Sequence, residues 1–335
     1  MKRFFRAFRL LPSTRSFVRE ACRTPGFGLL EFIHGYIYAR WPYLYIGIGT
    51  GQHRSIKILK PVIYLVLQLF SHLPADRPTV EMSGLKPTKP VDNNSQRVTF
   101  ADTYHGKVVP LKAAQKLVSV NREITLTNLE KVIPYSMARD LILNNPEHIL
   151  LLECPCRASR PNPCLPLDVC LVVGEPIAGF VHEHHPRRSR WITSAEAIRV
   201  LQETDSRGNV HHAFFKEAMF GRFFAICNCC SCCCGAMQAF YNGIPMLAAS
   251  GYVNRVDTER CTGCETCVDS CGFNALSMAD RAVRVNESLC MGCGICVSKC
   301  PQEALKLIRE PSKGEPLELD ALLADNEDRL RANRL

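Results

Sequence analysis

Several things are missing from this chain, and each absence removes a class of function. No apolar run reaches the roughly 18 residues that would license a membrane-spanning helix, because the candidate stretch Ile56 to Leu73 is uninterrupted only from Val62. Residues 1–25 interleave basic residues with phenylalanines and carry neither a continuous apolar core nor a small-residue cleavage site, so no secretory signal is expected. A mitochondrial transit peptide is the weaker alternative for residues 1–19. The Arg187-Arg188 pair is internal and is no export signal. There is no hydrolytic triad, phosphate loop or nucleic-acid module, and no nucleic-acid partner is expected. The string Gly47-Ile48-Gly49-Thr50-Gly51 lacks the third glycine of a dinucleotide fingerprint and any βαβ unit around it, so it reads as a turn.

What the chain has in excess is cysteine, 19 in 335 residues. In a small secreted chain that count would mean disulfides, but here the spacing says otherwise. Cys261-x2-Cys264-x2-Cys267-x3-Cys271 is followed 29 residues later by Cys290-x2-Cys293-x2-Cys296-x3-Cys300-Pro301. The region is an internal repeat: Val256-Asp257 and Val285-Asn286 precede the first cysteine of each run at one offset, and Ala275-Leu276 and Ala304-Leu305 follow at another. Paired zinc ribbons would need longer gaps between cysteine pairs and would have no use for a triplet with a fourth thiolate.

Residues 255–308 resemble the two-cluster bacterial-type ferredoxin domain. The resemblance implies two [4Fe–4S] clusters in which each run's fourth cysteine serves the other run's cluster. Cys261, Cys264, Cys267 and Cys300 would hold cluster 1, and Cys290, Cys293, Cys296 and Cys271 cluster 2. It also implies two short hairpins, two short helices and one-electron chemistry, but no substrate. Gly272 stands where that family usually has proline, which takes a rigid turn away from the backbone beside Cys271.

Upstream, two apolar runs read as buried strands, His148 to Glu153 and Arg222 to Ile226, and each ends in cysteines. The first leads into Cys154-Pro155-Cys156-Arg157, then Cys164 and Cys170; the second into Cys227-Asn228-Cys229-Cys230-Ser231-Cys232-Cys233-Cys234. If βαβ-like alternation makes the strands neighbours, the cysteines meet at one sheet edge. Packing does not explain six cysteines in eight residues, which would be an oxidation hazard. A further metal centre is expected, either an iron–sulfur cluster or zinc. Cys154, Cys156, Cys164 and Cys170 could ligate one cluster, with Cys227, Cys229, Cys230 and the triplet Cys232, Cys233, Cys234 supplying another or completing a larger one. This region is similar to the stretch upstream of the ferredoxin-type domain in a group of prokaryotic 4Fe–4S dicluster-domain proteins, a likeness that brings no activity with it. The Cys-x3-Cys-x2-Cys spacing of radical S-adenosylmethionine enzymes is absent. His182, His184, His185, His211 and His212 read as solvated loop histidines, with one of them able to complete a cluster.

The formal net charge of +9 is local. Residues 1–60 contain eleven Lys/Arg against Glu20 and Glu31, so the rest of the chain is neutral. On a helix of residues 2–11, Phe4, Phe8 and Leu11 share a face opposite Lys2, Arg3, Arg6 and Arg9, the pattern of an interfacial membrane helix. Residues 36–48 have a headgroup-belt composition interrupted by Arg40 and Pro42. Packing on the protein's own body is the competing reading.

The expected architecture is α+β. It comprises basic amphipathic membrane- or partner-docking helices (1–73), a proline-rich linker (74–97), a Cys-rich α/β domain (98–250), a 2[4Fe–4S] ferredoxin domain (251–310) and an amphipathic tail helix (311–335). Helices are expected at 110–120, 136–144 and 194–204. The expected function is iron–sulfur electron transfer between a redox protein partner and the Cys-rich centre, at the cytoplasmic side, peripheral on the inner membrane face or docked on a membrane redox complex. The alternatives are an oxidoreductase whose Cys-rich region is catalytic and a zinc-stapled scaffold carrying a ferredoxin.

Overall fold

The computed structural model describes residues 11–51, 103–127, 129–135 and 137–332. The expected helix of residues 2–11 apart from Leu11, the stretch 56–73 and the linker 74–97 lie outside the described residues. The fold is α+β.

Its centre is an eight-stranded sheet. The strands are β1 (Tyr104–Val108), β2 (Ile124–Leu126), β3 (Leu141–Glu153), β4 (Asp168–Glu175), β5 (Ser189–Ile192), β6 (Val210–Lys216), β7 (Arg222–Cys229) and β8 (Leu247–Ala248). They lie in the order β2-β3-β4-β7-β6-β1-β8 with β5 beside β3. All pairs are antiparallel except β1 with β8. The two predicted strands are therefore not direct neighbours, because β4 pairs with both. Two antiparallel steps leave β3 and β7 parallel to each other, so their cysteine-bearing ends still emerge at the same end of the sheet.

Side chains alternate across the sheet with period two, and both faces are covered. Leu150 and Leu152 of β3, Cys170 and Val172 of β4, and Phe224 of β7 point into one core. Ile149, Leu151, Leu171, Val173, Phe223 and Ile226 point into the other. The second core is closed by α4 (Leu111–Val118), α7 (Ser194–Ser206) and α11 (Leu319–Ala332). Helix α7 starts where Thr193 accepts the Glu196 backbone N–H at 3.2 Å, a side-chain N-cap. The predicted helix at 136–144 is absent, since the chain is already in β3 from Leu141, where Leu141 and Leu143 pair with β2 and fill the second core.

The first core takes the three N-terminal helices, α1 (Pro12–Arg23), α2 (Leu29–Arg40) and α3 (Pro42–Gly49). Phe17 of α1 is fully buried against Phe180 and Phe220, at ring distances of 4.8 and 4.7 Å. Glu20 pairs at 2.8 Å with the buried Arg222 guanidinium at the start of β7. Helix α2 approaches the segment Glu217–Met219 so closely that a Cβ on Gly35 would lie 2.1 Å from the Ala218 carbonyl oxygen. The glycine string at 47–51 is the last turn of α3 and its exit, not a loop of its own.

On the same face sit α5 (Pro155–Ala158), α6 (Ile177–His184), α8 (Gly235–Tyr241) and the C-terminal module. In that module β9 (Tyr252–Val256) pairs with β12 (Leu305–Arg309), and β10 (Leu276–Ala279) with β11 (Ala282–Val285). The helices α9 (Thr266–Asp269) and α10 (Ile295–Lys299) each follow a Cys-x2-Cys loop.

Candidate metal centre

The C-terminal cysteines enclose two cavities. One is lined by Cys261, Cys264, Cys267 and Cys300, the other by Cys271, Cys290, Cys293 and Cys296. The repeat carries matching hydrogen bonds: the Ala275 N–H donates to Cys271 Sγ and the Ala304 N–H to Cys300 Sγ, each at 3.3 Å. The surroundings differ. Cys264 is exposed, whereas Cys290 and Cys296 are buried and Asn254 Nδ2 donates to Cys296 Sγ at 3.2 Å. Burial pushes the Cys293 thiol up to about 12. A cavity that makes thiols hard to ionise, yet points N–H donors at their sulfurs, fits a thiolate set compensated by a bound cationic centre.

The ten upstream cysteines fall into two groups. Thiol contacts run in an arc, Cys227 to Cys170 to Cys154 to Cys156 to Cys234 to Cys229, the last step being 3.2 Å. The arc exists because β4 lies between the two cysteine-bearing strands and sets Cys170 directly opposite Cys227. It forms one wall of a chamber of about 300 Å³ whose other walls include Tyr38, Tyr45, Tyr104, Phe214 and Phe224. Hydrogen bonding to Cys156, with burial adding to it, pushes the Cys154 thiol up to about 12. The second group is Cys164, Cys230, Cys232 and Cys233, whose four sulfurs lie within 4.8 Å of one another. Cys164 thus stands with the cysteines that follow β7 rather than with Cys154, Cys156 and Cys170.

Arg157 lies between the groups, 2% exposed. Its guanidinium donates to the Pro166 carbonyl at 2.6 Å, Asn209 Oδ1 at 3.1 Å and the Asn228 carbonyl at 3.2 Å. These acceptors are all neutral. A buried cation served only by neutral oxygens calls for anionic neighbours, and Cys230, Cys154, Cys170 and Cys164 are the groups near enough to supply them once ionised. Asn228 in turn donates to the Val169 carbonyl at 2.7 Å and meets His211 Nδ1 at 2.6 Å. The His211-His212 pair is therefore a buried part of β6 rather than a solvated loop. His182 and His184 belong to α6, with His185 just beyond it. Arg157, Asn228 and Asn254 carry no spacing signature, and only the fold reveals them.

The inner of the two C-terminal cavities lies on the side of its module that packs on the body, where Cys271 and Phe273 meet the first core. Tyr241, at the end of α8, donates to the Gly272 carbonyl. Burial first, then the negative fields of Cys271, Cys234 and Cys232, push its phenol up to about 12. One side chain thus feels both a cysteine of the inner cavity and a cysteine of the arc. A Cβ on Gly272 would meet Met237 and Val210 of the body at 3.5 and 3.6 Å, while its repeat counterpart Pro301 is exposed. The departure from proline thus falls where the module meets the rest of the protein.

Residues 254–301 match the sequence family of the 4Fe-4S dicluster domain. This chain carries that domain at its C-terminus. No curated protein matches the chain at a significant level. With the domain and the cysteine cluster upstream of it, the chain is an iron–sulfur protein, and electron transfer is the chemistry such a domain supplies. Among the described residues no helix is long and apolar enough to cross a membrane.

Proposed function

We propose that the protein relays electrons between an external redox partner and the six-thiol chamber through two [4Fe–4S] clusters. Cys261, Cys264, Cys267 and Cys300 would hold the outer cluster, and Cys290, Cys293, Cys296 and Cys271 the inner one. Each cluster, when bound, carries one electron. The observation that carries the reading is the pair of four-cysteine cavities, the outer with an exposed Cys264 and the inner joined to α8 by the Tyr241 bond to the Gly272 carbonyl, on a body that carries the arc. The chain's own residues supply the rest. Asn254 and the Ala275 and Ala304 N–H groups steady the sulfurs, and Arg157 offsets negative charge at the chamber. Anaerobic iron and sulfide analysis with electron paramagnetic resonance of the reduced protein tests this. More than about eight irons, with a signal beyond those of two [4Fe–4S] clusters, supports the relay; eight or fewer leaves a simple carrier.

The chamber's volume favours a second reading. About 300 Å³ lined by tyrosine and phenylalanine beside thiols is room for a small substrate, which would make the protein an oxidoreductase fed by its own dicluster domain. A ligand that perturbs the chamber's spectrum without touching the other two signals would favour it.

The site of work is, in this proposal, the cytoplasmic face of the membrane. Helix α2 buries Phe32, Gly35 and Ala39 yet exposes Leu30, Ile33 and Ile37, continued by Trp41 and Leu44. This stripe follows helical spacing, and Arg15, Arg19 and Arg23 of the adjacent α1 are exposed. Apolar and cationic surface together suit an anionic lipid interface. The protein should float with anionic vesicles at low salt and release as salt rises, and Leu30→Glu with Ile37→Glu should abolish flotation. Failure of the unmodified protein to bind such vesicles would remove lipid as the partner.

A further inference from the structure

The second group of upstream cysteines differs from the arc in a way that decides what it can hold. In a cubane cluster each thiolate occupies a different iron at a different corner, so the ligating sulfurs stand a full cluster apart. In a single tetrahedral site they all surround one ion, and metal–sulfur bonds of about 2.3 Å place them about 3.8 Å from one another. The four sulfurs of Cys164, Cys230, Cys232 and Cys233 lie within 4.8 Å of one another, with Cys164 to Cys232 at 2.9 Å and Cys232 to Cys233 at 3.7 Å. The second separation matches a tetrahedral edge, the first would open by about 0.9 Å around an ion, and four sulfurs this close have room between them for one ion and not for a cluster.

We propose that Cys164, Cys230, Cys232 and Cys233 bind a single tetrahedral metal ion, zinc, as a structural site beside the six-thiol arc, at the margin of the chamber where Cys230 meets its wall. The proposal rests on reading the upstream cysteines as metal ligands and adds a division of labour among them. Four thiolates with no open position are the donor set of a closed structural zinc site. The location agrees: Cys232 is exposed and Cys164 and Cys230 half-buried, a position where a redox-inert ion tolerates solvent.

The local fold explains how adjacent cysteines serve different sites. After β7 the chain makes a tight turn in which the Cys234 N–H donates to the Cys230 carbonyl at 3.2 Å. Cys230, Cys232 and Cys233 thereby point to one side, while Cys229 and Cys234 on either side of them join the arc. Cys164 arrives on the irregular segment between α5 and β4. The charge of four thiolates around a divalent cation would be net negative, and two arginines stand by: Arg160 donates to the Cys233 carbonyl at 3.2 Å and Arg157 to the Asn228 carbonyl. Gln238 of α8 holds the Cys232 carbonyl at 3.0 Å. The ion would tie the segment carrying Cys164 to the turn after β7, and so fasten the loop carrying Arg157 and the arc cysteines beside the chamber.

The test uses the full chain, purified anaerobically, as wild type, Cys164→Ser and Cys232→Ser. Zinc, iron and sulfide are quantified, and zinc-edge X-ray absorption is recorded on the wild type, so the result does not depend on a variant folding. The expected result is about one zinc per chain with four sulfur neighbours near 2.3 Å, and loss of that zinc in both variants with iron and sulfide unchanged. Loss of iron and sulfide in fours from Cys164→Ser would overturn the proposal. So would a wild type without zinc in which Cys164 and Cys232 are joined by a disulfide. One zinc per chain in a protein lacking iron would leave this site standing and sink the electron-transfer function instead, so the two failures are distinguishable.

Discussion

The two cavities of the dicluster domain are related by an internal repeat, and the contrast between them is where the protein's design is visible. Both are ringed by four cysteines and both receive an alanine N–H on the fourth cysteine's sulfur at 3.3 Å. Beyond that they diverge. The outer one presents an exposed Cys264, whereas the inner one has no exposed cysteine, takes an additional donor from Asn254 and meets α8 through Gly272 and Tyr241. A repeat supplies two sites of equal chemistry; the body against which one of them packs makes them unequal. Hydrogen bonds to sulfur and solvent exposure are the protein's levers on cluster potential, so the two clusters should differ in potential although their ligand sets match.

The largest effect should come from removing a ligand on each side. Cys264→Ser and Cys296→Ser should each lose about four irons, measured with sulfide and absorbance, but Cys296→Ser should also weaken the contact with α8 and lower thermal stability more. Equal destabilisation by the two variants would show that the inner cavity is no more integrated than the outer. Next in size is Arg157→Leu. It removes the cation from a buried position and leaves thiolates uncompensated, which should cost about 3–5 kcal/mol in denaturant unfolding under anaerobic conditions. The dicluster signals of the protein that still folds should persist. Arg157→Lys should recover only part of the loss, since one ammonium nitrogen cannot occupy the two positions from which the guanidinium reaches Pro166 on one side and Asn209 and Asn228 on the other.

How much of this was readable in the residues depends on whether the information is local. The eight C-terminal cysteines announce themselves because each Cys-x2-Cys-x2-Cys loop is short, and the structure brings those same residues around two cavities. The start of α7 was legible because its N-cap, Thr193, is a local device. The grouping of the upstream cysteines was not, because it depends on strand order. Only once β4 inserts between β3 and β7 does Cys170 meet Cys227 and the six-thiol arc form. The helix expected at 136–144 failed for the same reason, as pairing with β2 and burial of Leu141 and Leu143 override a helical local preference. The N-terminal helices put Phe17 and Phe32 inside, as packing on the protein's own body requires, and leave Leu30 and Ile37 on the surface.

A smaller change should sharpen the contrast directly. Asn254→Leu deletes the donor to Cys296 Sγ without touching the outer cavity. Loss of a hydrogen bond to sulfur disfavours the reduced, more negative state, so the inner potential should fall while the outer stays in place. A redox titration followed by electron paramagnetic resonance would read both at once. If the two signals moved together, or neither moved, the asymmetry would lie elsewhere than in Asn254.

The smallest effect belongs to Tyr241→Phe, and it separates two roles for that side chain. Removing the hydroxyl deletes its bond to the Gly272 carbonyl, worth about 1 kcal/mol. Because burial and the neighbouring cysteines push the phenol up to about 12, the wild-type hydroxyl keeps its proton across the range in which the protein can be handled. If the tyrosine only braces the inner cavity against α8, the variant should therefore show the same small stability loss at every pH between about 6 and 9. Reduction of the chamber by way of the dicluster domain should then slow by one constant factor over that range. A factor that grew with pH would mean that the phenol gives up its proton when electrons pass, and Tyr241 would belong to the relay rather than to its support.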